Sequence, residues 1–365
     1  MGSVKDLLVS EPAYEDRAGV GTFIFSDRYS VFDWGEMPDH IADKGRSLAV
    51  MAAYHFEELE RRGIRTHYRG LVSDGGALVR FSELEEGSGG LAAMQVALAR
   101  VYRPITREFS EGARILYDYG FFEKNRGRIG NYLIGLEIIY RNGLPAGSSV
   151  FKRLSEAHAV PDPRERKRRV QAVLAELGLR EEPKPGAPLP RPVISFTTKL
   201  EPGDRVLSER EAWRISGLKR PDFQRLKHLA LRADQVVTEL AERAGFVHYD
   251  GKIEAVWNGG LMVCDVIGTF DENRFAWQGR QVSKELLRQW YKKNQPRFVE
   301  ACDRWKATGA GWQKRCDVQP RRLPRELARL VSQMYTAGCN RYTGRRIFKA
   351  PELETVMEKL ARYLE

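Results

Sequence analysis

Residues 250–275 read DGKIEAVWNGGLMVCDVIGTFDENRF. Asp250, Lys252 and Glu254 alternate with Gly251, Ile253 and Ala255, so on a strand the three charged side chains share one face. Asn258, Gly259 and Gly260 form a hairpin turn signal, and the apolar run from Leu261 to Cys264 leads into Asp265. A two-residue turn at either Asn258-Gly259 or Gly259-Gly260 sets Asp265 opposite Lys252 or Glu254, on the charged face. A three-residue loop turns it to the other side. Two carboxylates facing each other across strands repel unless a positive group lies between them. Mg²⁺, bound by one or two carboxylates plus substrate phosphates, suits that place. A solvated hairpin face with a surface ion pair is the competing reading of the same alternation.

The chain around this stretch has 365 residues, enough for roughly two domains and a sizeable core. Hydrophobic content of 42% and charged content of 30% describe a globular protein rather than a disordered one. No apolar run nears the ~20 residues of a membrane span. The opening MGSVKDLLVSEP lacks the pattern of a signal peptide, and Cys264, Cys302, Cys316 and Cys339 show neither metal spacing nor a disulfide framework. A reducing cytoplasm is the expected location. The net charge of +11 fits either nucleic acid or small polyanionic substrates. The local basic run at 164–169 opens a helix to about Leu177 whose apolar stripe is Val170, Val173, Leu174 and Leu177, so its charges lie on the wet face. No RNA-recognition, zinc-finger or helix-turn-helix signature accompanies it.

The spacing predicts a strand at Thr22 to Phe25, a helix from Arg46 to Arg62 stopped by Gly63, a strand at Val79 to Phe81, and a buried strand from Tyr132 to Tyr140. After it, residues 141–149 form a loop of backbone-permissive residues, and Leu179 to Pro192 is a proline-rich linker. Helices are predicted over 208–217, 222–245, 283–308 and 325–338. The expected organisation is a β-rich N-terminal lobe at 1–135, a central α+β lobe with the cleft at 136–295, and a helical C-terminal extension at 296–365.

Several segments, in order along the chain, resemble the SAICAR synthase family of purine biosynthesis. GSVKD at 2–6 is similar to that family's GKVRD, FSDRYSVFD at 25–33 to ATDRISAFD, and IADKG at 41–45 to IPGKG. LEIIYR at 136–141 with AGS at 146–148 resembles LEVIVRGYxxGS, and FTTKLE at 196–201 with Gly203 and Asp204 resembles FTPSTKAExGxHD. DGKIE at 250–254 is similar to DTKFEFG, residues 265–275 to DEVLTPDSSRFW, and QVSK at 281–284 with Arg288 to QSxDKxxxR. The long C-terminal tail suits an archaeal-type branch. The resemblance implies an α+β, two-lobed nucleotide-binding fold, loosely kinase- or ATP-grasp-like. It also implies a reaction of ATP, carboxyaminoimidazole ribonucleotide and L-aspartate, with Mg²⁺, to an amide, ADP and phosphate. No nucleic acid or membrane partner is implied, and an oligomer is compatible with it.

Carried over residue by residue, the family pattern makes Glu254 and Asp265 the metal ligands, and Lys5, Lys199 and Glu254 the nucleotide contacts. Arg141, Ser148 and Arg274 are assigned to the ribonucleotide phosphate, for which an arginine fork is well shaped. The backbone near Gly147 and Ser148 would form an anion nest. Lys44 would serve an anion at a helix N-terminus, with Asp27, Ser30 and Asp33 also in the substrate cleft. Lys252 would neutralise developing phosphoryl charge or orient the substrate carboxylate, and Asp250 would orient Lys252 or accept the amine proton. The pattern departs from the family at Ser3 for lysine, Gly251 for threonine, Val266 for glutamate, and the loss of the serines before Arg274. A carboxylate–amine ligase for another amine, a small-molecule kinase and a basic RNA-binding protein are the competing classes. The kinase reading lacks HRD, DFG and GxGxxG elements.

Overall fold

The computed structural model describes residues 4–108, 115–201, 203–306 and 311–364. Gly2, Ser3 and Thr308, which figure in the first motif and in a predicted helix end, lie outside them. The described residues form two large antiparallel sheets, a small ribbon and ten α-helices. In the first sheet, β1 (Lys5–Glu11), β2 (Gly19–Phe25), β3 (Tyr68–Val72), β4 (Leu78–Val79) and β5 (Ala93–Leu98) lie in the order β1-β2-β5-β3-β4. In β2 every second residue, Gly19 through Phe25, is buried, as a strand with one face on a core requires. α1 (Lys44–Arg61) packs across this sheet; its buried face includes Leu48, Met51, Ala52, Phe56 and Leu59, and Gly63 at φ 70° ends it. The ribbon of β6 (Ile105–Glu108) and β7 (Ile115–Asp118) and the short α2 (Gly120–Lys124) lead to the second sheet.

That sheet contains β8 (Tyr132–Leu133), β9 (Leu136–Leu144), β10 (Ala187–Thr198), β11 (Val206–Leu207), β12 (Phe246–Trp257), β13 (Leu261–Cys264), β14 (Asn273–Trp277) and β15 (Arg280–Gln281). Its main path is β11-β10-β9-β12-β14-β15, with β8 and β13 both paired to β12. A hairpin of α3 (Ser149–His158) and α4 (Pro163–Glu176) makes a small core of its own around Leu154, Val173, Leu174 and Leu177. α5 (Glu209–Ser216) and α6 (Arg220–Arg243) back the sheet, followed by α7 (Glu285–Asn294), α8 (Pro296–Lys306), α9 (Arg325–Thr343) and α10 (Leu353–Leu364). One continuous core joins both sheets to α9 and α10, from Phe23 through Phe223 and Phe275 to Leu360.

Four local expectations change. The Tyr132–Tyr140 run is two strands, and β9 continues through Arg141 to Leu144 instead of ending in a loop. The proline-rich stretch enters β10 at Ala187, so its last six residues are strand, and the ladder is irregular between Pro188 and Val193, where prolines cannot donate. The helix expected over 283–308 is broken into α7 and α8 at Pro296, and the strand expected at Val79 to Phe81 stops at Val79 before a 3₁₀ turn. No described helix is long and apolar enough to cross a membrane.

Candidate active site

A cleft of about 1000 Å³ lies between the β1–β2 edge and the open face of β9, β12 and β14. Side-chain alternation builds its floor. On β9, Glu137, Ile139 and Arg141 share a face; on β12, Asp250, Lys252 and Glu254 do. Register sets Asp250 directly between Arg141 on β9 and Arg274 on β14. Arg274 grips Asp250 with both arms, Nε donating to Oδ1 at 2.7 Å and Nη2 to Oδ2. Arg141 donates to Ser195 Oγ at 2.6 Å, and its buried Nε has no partner among the described residues. The result is a cationic row whose middle carboxylate is already committed.

One step along, Lys252 reaches Glu137 at 2.6 Å and Glu272 at 3.4 Å, and Lys199 reaches Glu254 at 2.6 Å and Glu137 at 3.4 Å. Lys5, from β1, meets Asp265 at 2.7 Å. Lysines and acids therefore alternate across the wall where the two sheets approach. Burial opposes the charge on Lys252, but Glu272, Glu137, Glu254 and Asp265 outweigh it and hold the amine well above its usual value. Burial also opposes the charge on Asp265, yet Lys5, Lys199 and Lys252 hold that carboxyl low. Burial, then the charge of Asp265, raises the Glu254 carboxyl.

The hairpin does not have the register that put Asp265 on the charged face. Glu254 pairs with Cys264 and Trp257 with Leu261, leaving a three-residue loop at Asn258, Gly259 and Gly260. By strand alternation alone Asp265 would turn away. It lies just past the strand end at φ 64°, a left-handed conformation that swings its side chain back to Lys5.

The structure brings Lys5, Ser30, Asp33, Arg141, Lys199, Asp250, Lys252, Asp265 and Arg274 to one cleft, with Glu254 beside them. Two expected site residues, Lys44 and Ser148, sit elsewhere. Lys44 is fully buried, its amine 2.7 Å from Asp271 Oδ2, and the neighbouring Gly45 N–H is taken by Asp27 Oδ1 at 3.0 Å, so neither offers that helix end to an anion. Ser148 caps α3, its own N–H donates to Pro145 O at 3.0 Å, and the Glu285 carboxylate packs over Gly147. The Ser148 N–H is therefore already committed. Asp250 pairs with Arg274 rather than orienting Lys252. Asp33 is a rim residue, paired with Lys306 at 3.0 Å and 84% exposed.

Other cleft residues had no role assigned from sequence: Glu137, Asp204, Asp271, Glu272 and Lys284. Glu137 carried a signal, an acid inside the apolar run LEIIY that a buried strand does not keep without a partner. Two departures from the family pattern explain each other. Gly251 pairs with Asn273, and a Cβ on Gly251 would stand 2.0 Å from Asn273 Nδ2, so the asparagine side chain occupies the room glycine leaves. Asn273 Nδ2 donates to Tyr140 Oη at 3.0 Å and contacts His248 Nε2 at 2.9 Å. Val266 is buried in the core, away from the cleft.

A second, more apolar cleft of about 520 Å³ adjoins the first, sharing Leu7, Phe23 and Asp265 with it. Pro12, Leu98, Val101, Tyr102, Leu133 and Val256 line it, with Glu254 at its inner end. Its size and lining suit a flat heterocycle, with the lysine–carboxylate wall beyond. Among the described residues no group of three or more His, Cys, Asp and Glu side chains gathers as a metal cage. Glu254 and Asp265, each held by a lysine, are a pair of carboxylates on one wall, and two carboxylates are the protein share typical of Mg²⁺ sites completed by phosphates and water.

Two lobes closing a charged cleft onto an apolar slot define the class: an enzyme built to hold a nucleotide against a second anionic substrate. The chain belongs to the SAICAR synthetase family, whose model matches residues 10–305. A curated protein of Archaeoglobus fulgidus is 43% identical over 368 residues, covering 100% of both chains. The fold is that of a SAICAR synthase from Saccharomyces cerevisiae solved with SAICAR, at TM-score 0.59 and 19% identity over 95% of this chain and 94% of that one. A SAICAR synthetase solved with ADP has TM-score 0.51 and 18% identity, over 88% and 99% of the two chains.

Proposed function

We propose that this chain is the ATP-dependent carbon–nitrogen ligase of purine biosynthesis that joins L-aspartate to the carboxylate of carboxyaminoimidazole ribonucleotide, giving SAICAR, ADP and phosphate. The observation that carries this reading is the continuity of three surfaces: the apolar slot, the lysine–carboxylate wall, and the Arg141–Asp250–Arg274 row. They fit, in order, adenine, a triphosphate and a ribonucleotide phosphate. Cytoplasmic location suits the four cysteines, all free and buried.

A carboxylate is a poor acyl donor, so the ribonucleotide carboxylate is first activated. Its oxygen attacks the γ-phosphorus, ADP leaves, and an acyl phosphate forms. Glu254 and Asp265 would hold Mg²⁺, which screens phosphoryl charge when bound. Lys5 and Lys199, each held by one of those acids, flank the phosphates. Lys252, kept charged by four carboxylates, faces the charge that develops on the transferring group. The aspartate amine then attacks the acyl carbon, phosphate leaves, and a proton must pass to a base. Asp250 is tied to Arg274. Asp204, which lines the cleft with a carboxyl raised first by burial and then by Glu137, is better suited to accept it.

The test is a product assay with Mg-ATP, carboxyaminoimidazole ribonucleotide and L-aspartate. Succinocarboxamide formed in equal amount with ADP, and only when all three are present, is the expected result. ADP release that ignores L-aspartate, or no release at all, contradicts the reading.

A further inference from the structure

The family match ends at residue 305, yet the chain continues into α9 and α10, and α9 reaches the cleft wall from behind. Tyr335, fully buried, donates its hydroxyl to Asp271 Oδ1 at 2.7 Å. Lys44 of α1 approaches the other oxygen of the same carboxylate at 2.7 Å and lies over the Tyr335 ring at 5.6 Å. Asp271 is thus fastened by one group from the N-terminal lobe and one from the C-terminal tail. Its carboxylate faces the cleft beside Lys284. Lys5, Lys199 and Lys252 all hold acids, but Lys284 forms no ion pair among the described residues. A fixed carboxylate next to an uncommitted amine is the complement of a zwitterion: one takes an ammonium group, the other a carboxylate. Each Asp271 oxygen keeps a second lone pair for that purpose.

We infer that Tyr335, supplied by the C-terminal tail, is a positioning residue that fixes Asp271 so that Asp271 and Lys284 receive the amino-acid substrate. This rests on the ligase reading above. Tyr342 lies two turns further along α9 and supplies the control. Its hydroxyl donates to Val237 O at 3.0 Å and contacts His55 Nε2 at 3.1 Å, neither of which lines the cleft.

Tyr335→Phe and Tyr342→Phe are compared by steady-state kinetics and thermal melting. Tyr335→Phe is expected to raise KM for L-aspartate about tenfold while KM for ATP stays within about twofold, the scale of one lost hydrogen bond to a charged group. Tyr342→Phe is expected to lower the melting temperature and leave both KM values unchanged. Unaltered KM values in Tyr335→Phe, equal rises for ATP and L-aspartate, or the same kinetic pattern in Tyr342→Phe would each overturn the inference. Melting with L-aspartate alone gives a readout independent of turnover. Wild type is expected to shift upward and Tyr335→Phe to need about tenfold more amino acid for the same shift; equal shifts overturn it. Wild-type turnover with all three substrates tests the ligase reading separately.

Discussion

Replacing Asp265 by asparagine removes one of two carboxylates proposed to hold Mg²⁺ while keeping the side chain's shape. Its structural cost comes from two opposed effects. The Lys5–Asp265 pair, 2.7 Å apart with both side chains 17% exposed, has a gross attraction of about 6 kcal/mol at an effective dielectric of about 20. Desolvation offsets most of that. Against the loss stands a gain: the charge of Asp265 is one reason the Glu254 carboxyl is raised, and removing it lets Glu254 ionise more easily. The net change in stability is expected to be about 1–3 kcal/mol, small enough for the protein to fold. Turnover has no such compensation. With one metal carboxylate left and Lys5 no longer held, a loss of about 3–4 kcal/mol in transition-state stabilisation, or roughly 10²–10³ in kcat, is expected. Initial rates across a Mg²⁺ titration, alongside thermal melting, read both quantities. A folded Asp265→Asn variant within tenfold of wild-type kcat at millimolar Mg²⁺ would refute the metal assignment.

Arg274→Ala should raise KM for the ribonucleotide about a hundredfold with little effect on ATP, and should cost about 3–5 kcal/mol of stability by leaving buried Asp250 without its fork; equal KM effects on both substrates would argue against the phosphate role. Acid should destabilise the fold through His55 and His67, whose burial first of all lowers both to about 4. Because the folded form holds them neutral, the unfolded chain binds more protons below pH 6.5, so their stabilisation is complete above that value and is lost as pH falls towards 4. Between pH 6.5 and 5 the two together remove ~3 kcal/mol, and a urea midpoint unchanged between pH 7 and 5 would contradict this. Gly338→Ala would set a Cβ 2.7 Å from Phe270 in the α9 contact, so overpacking should outweigh the gain in helix propensity by about 1 kcal/mol. A melting temperature that rises instead would show α9 packed less tightly than described.

Much of the site was legible because strand alternation is local. Asp250, Lys252 and Glu254 needed only the period of two to share a face, and Arg141 and Arg274 only the motifs that carry them. What failed depended on geometry that periodicity does not encode. The hairpin loop has three residues, and Asp265 returns to the charged wall through one left-handed residue, so the expected contact arises by a different route. Lys44 and Ser148 stand in motifs resembling the family's, but tertiary partners claim them: Asp271 for one, the α3 terminus for the other. The proline-rich stretch reads as a linker, yet Ala187 and Pro188 at its end already pair with β9, and the ladder resumes at Val193 after a break across the prolines. Tyr335 could not be found from sequence, since nothing in α9 marks which tyrosine faces Asp271.

The central claim is that this cleft activates a ribonucleotide carboxylate with ATP and hands it to L-aspartate. Its most direct test is one reaction of the purified protein with Mg-ATP, L-aspartate and carboxyaminoimidazole ribonucleotide carrying ¹⁸O in its carboxylate, with ADP, product and phosphate masses read together. The account predicts SAICAR equal to ADP, one labelled oxygen in the amide and the other in inorganic phosphate. Phosphate free of label, or ADP formed without SAICAR, would contradict it.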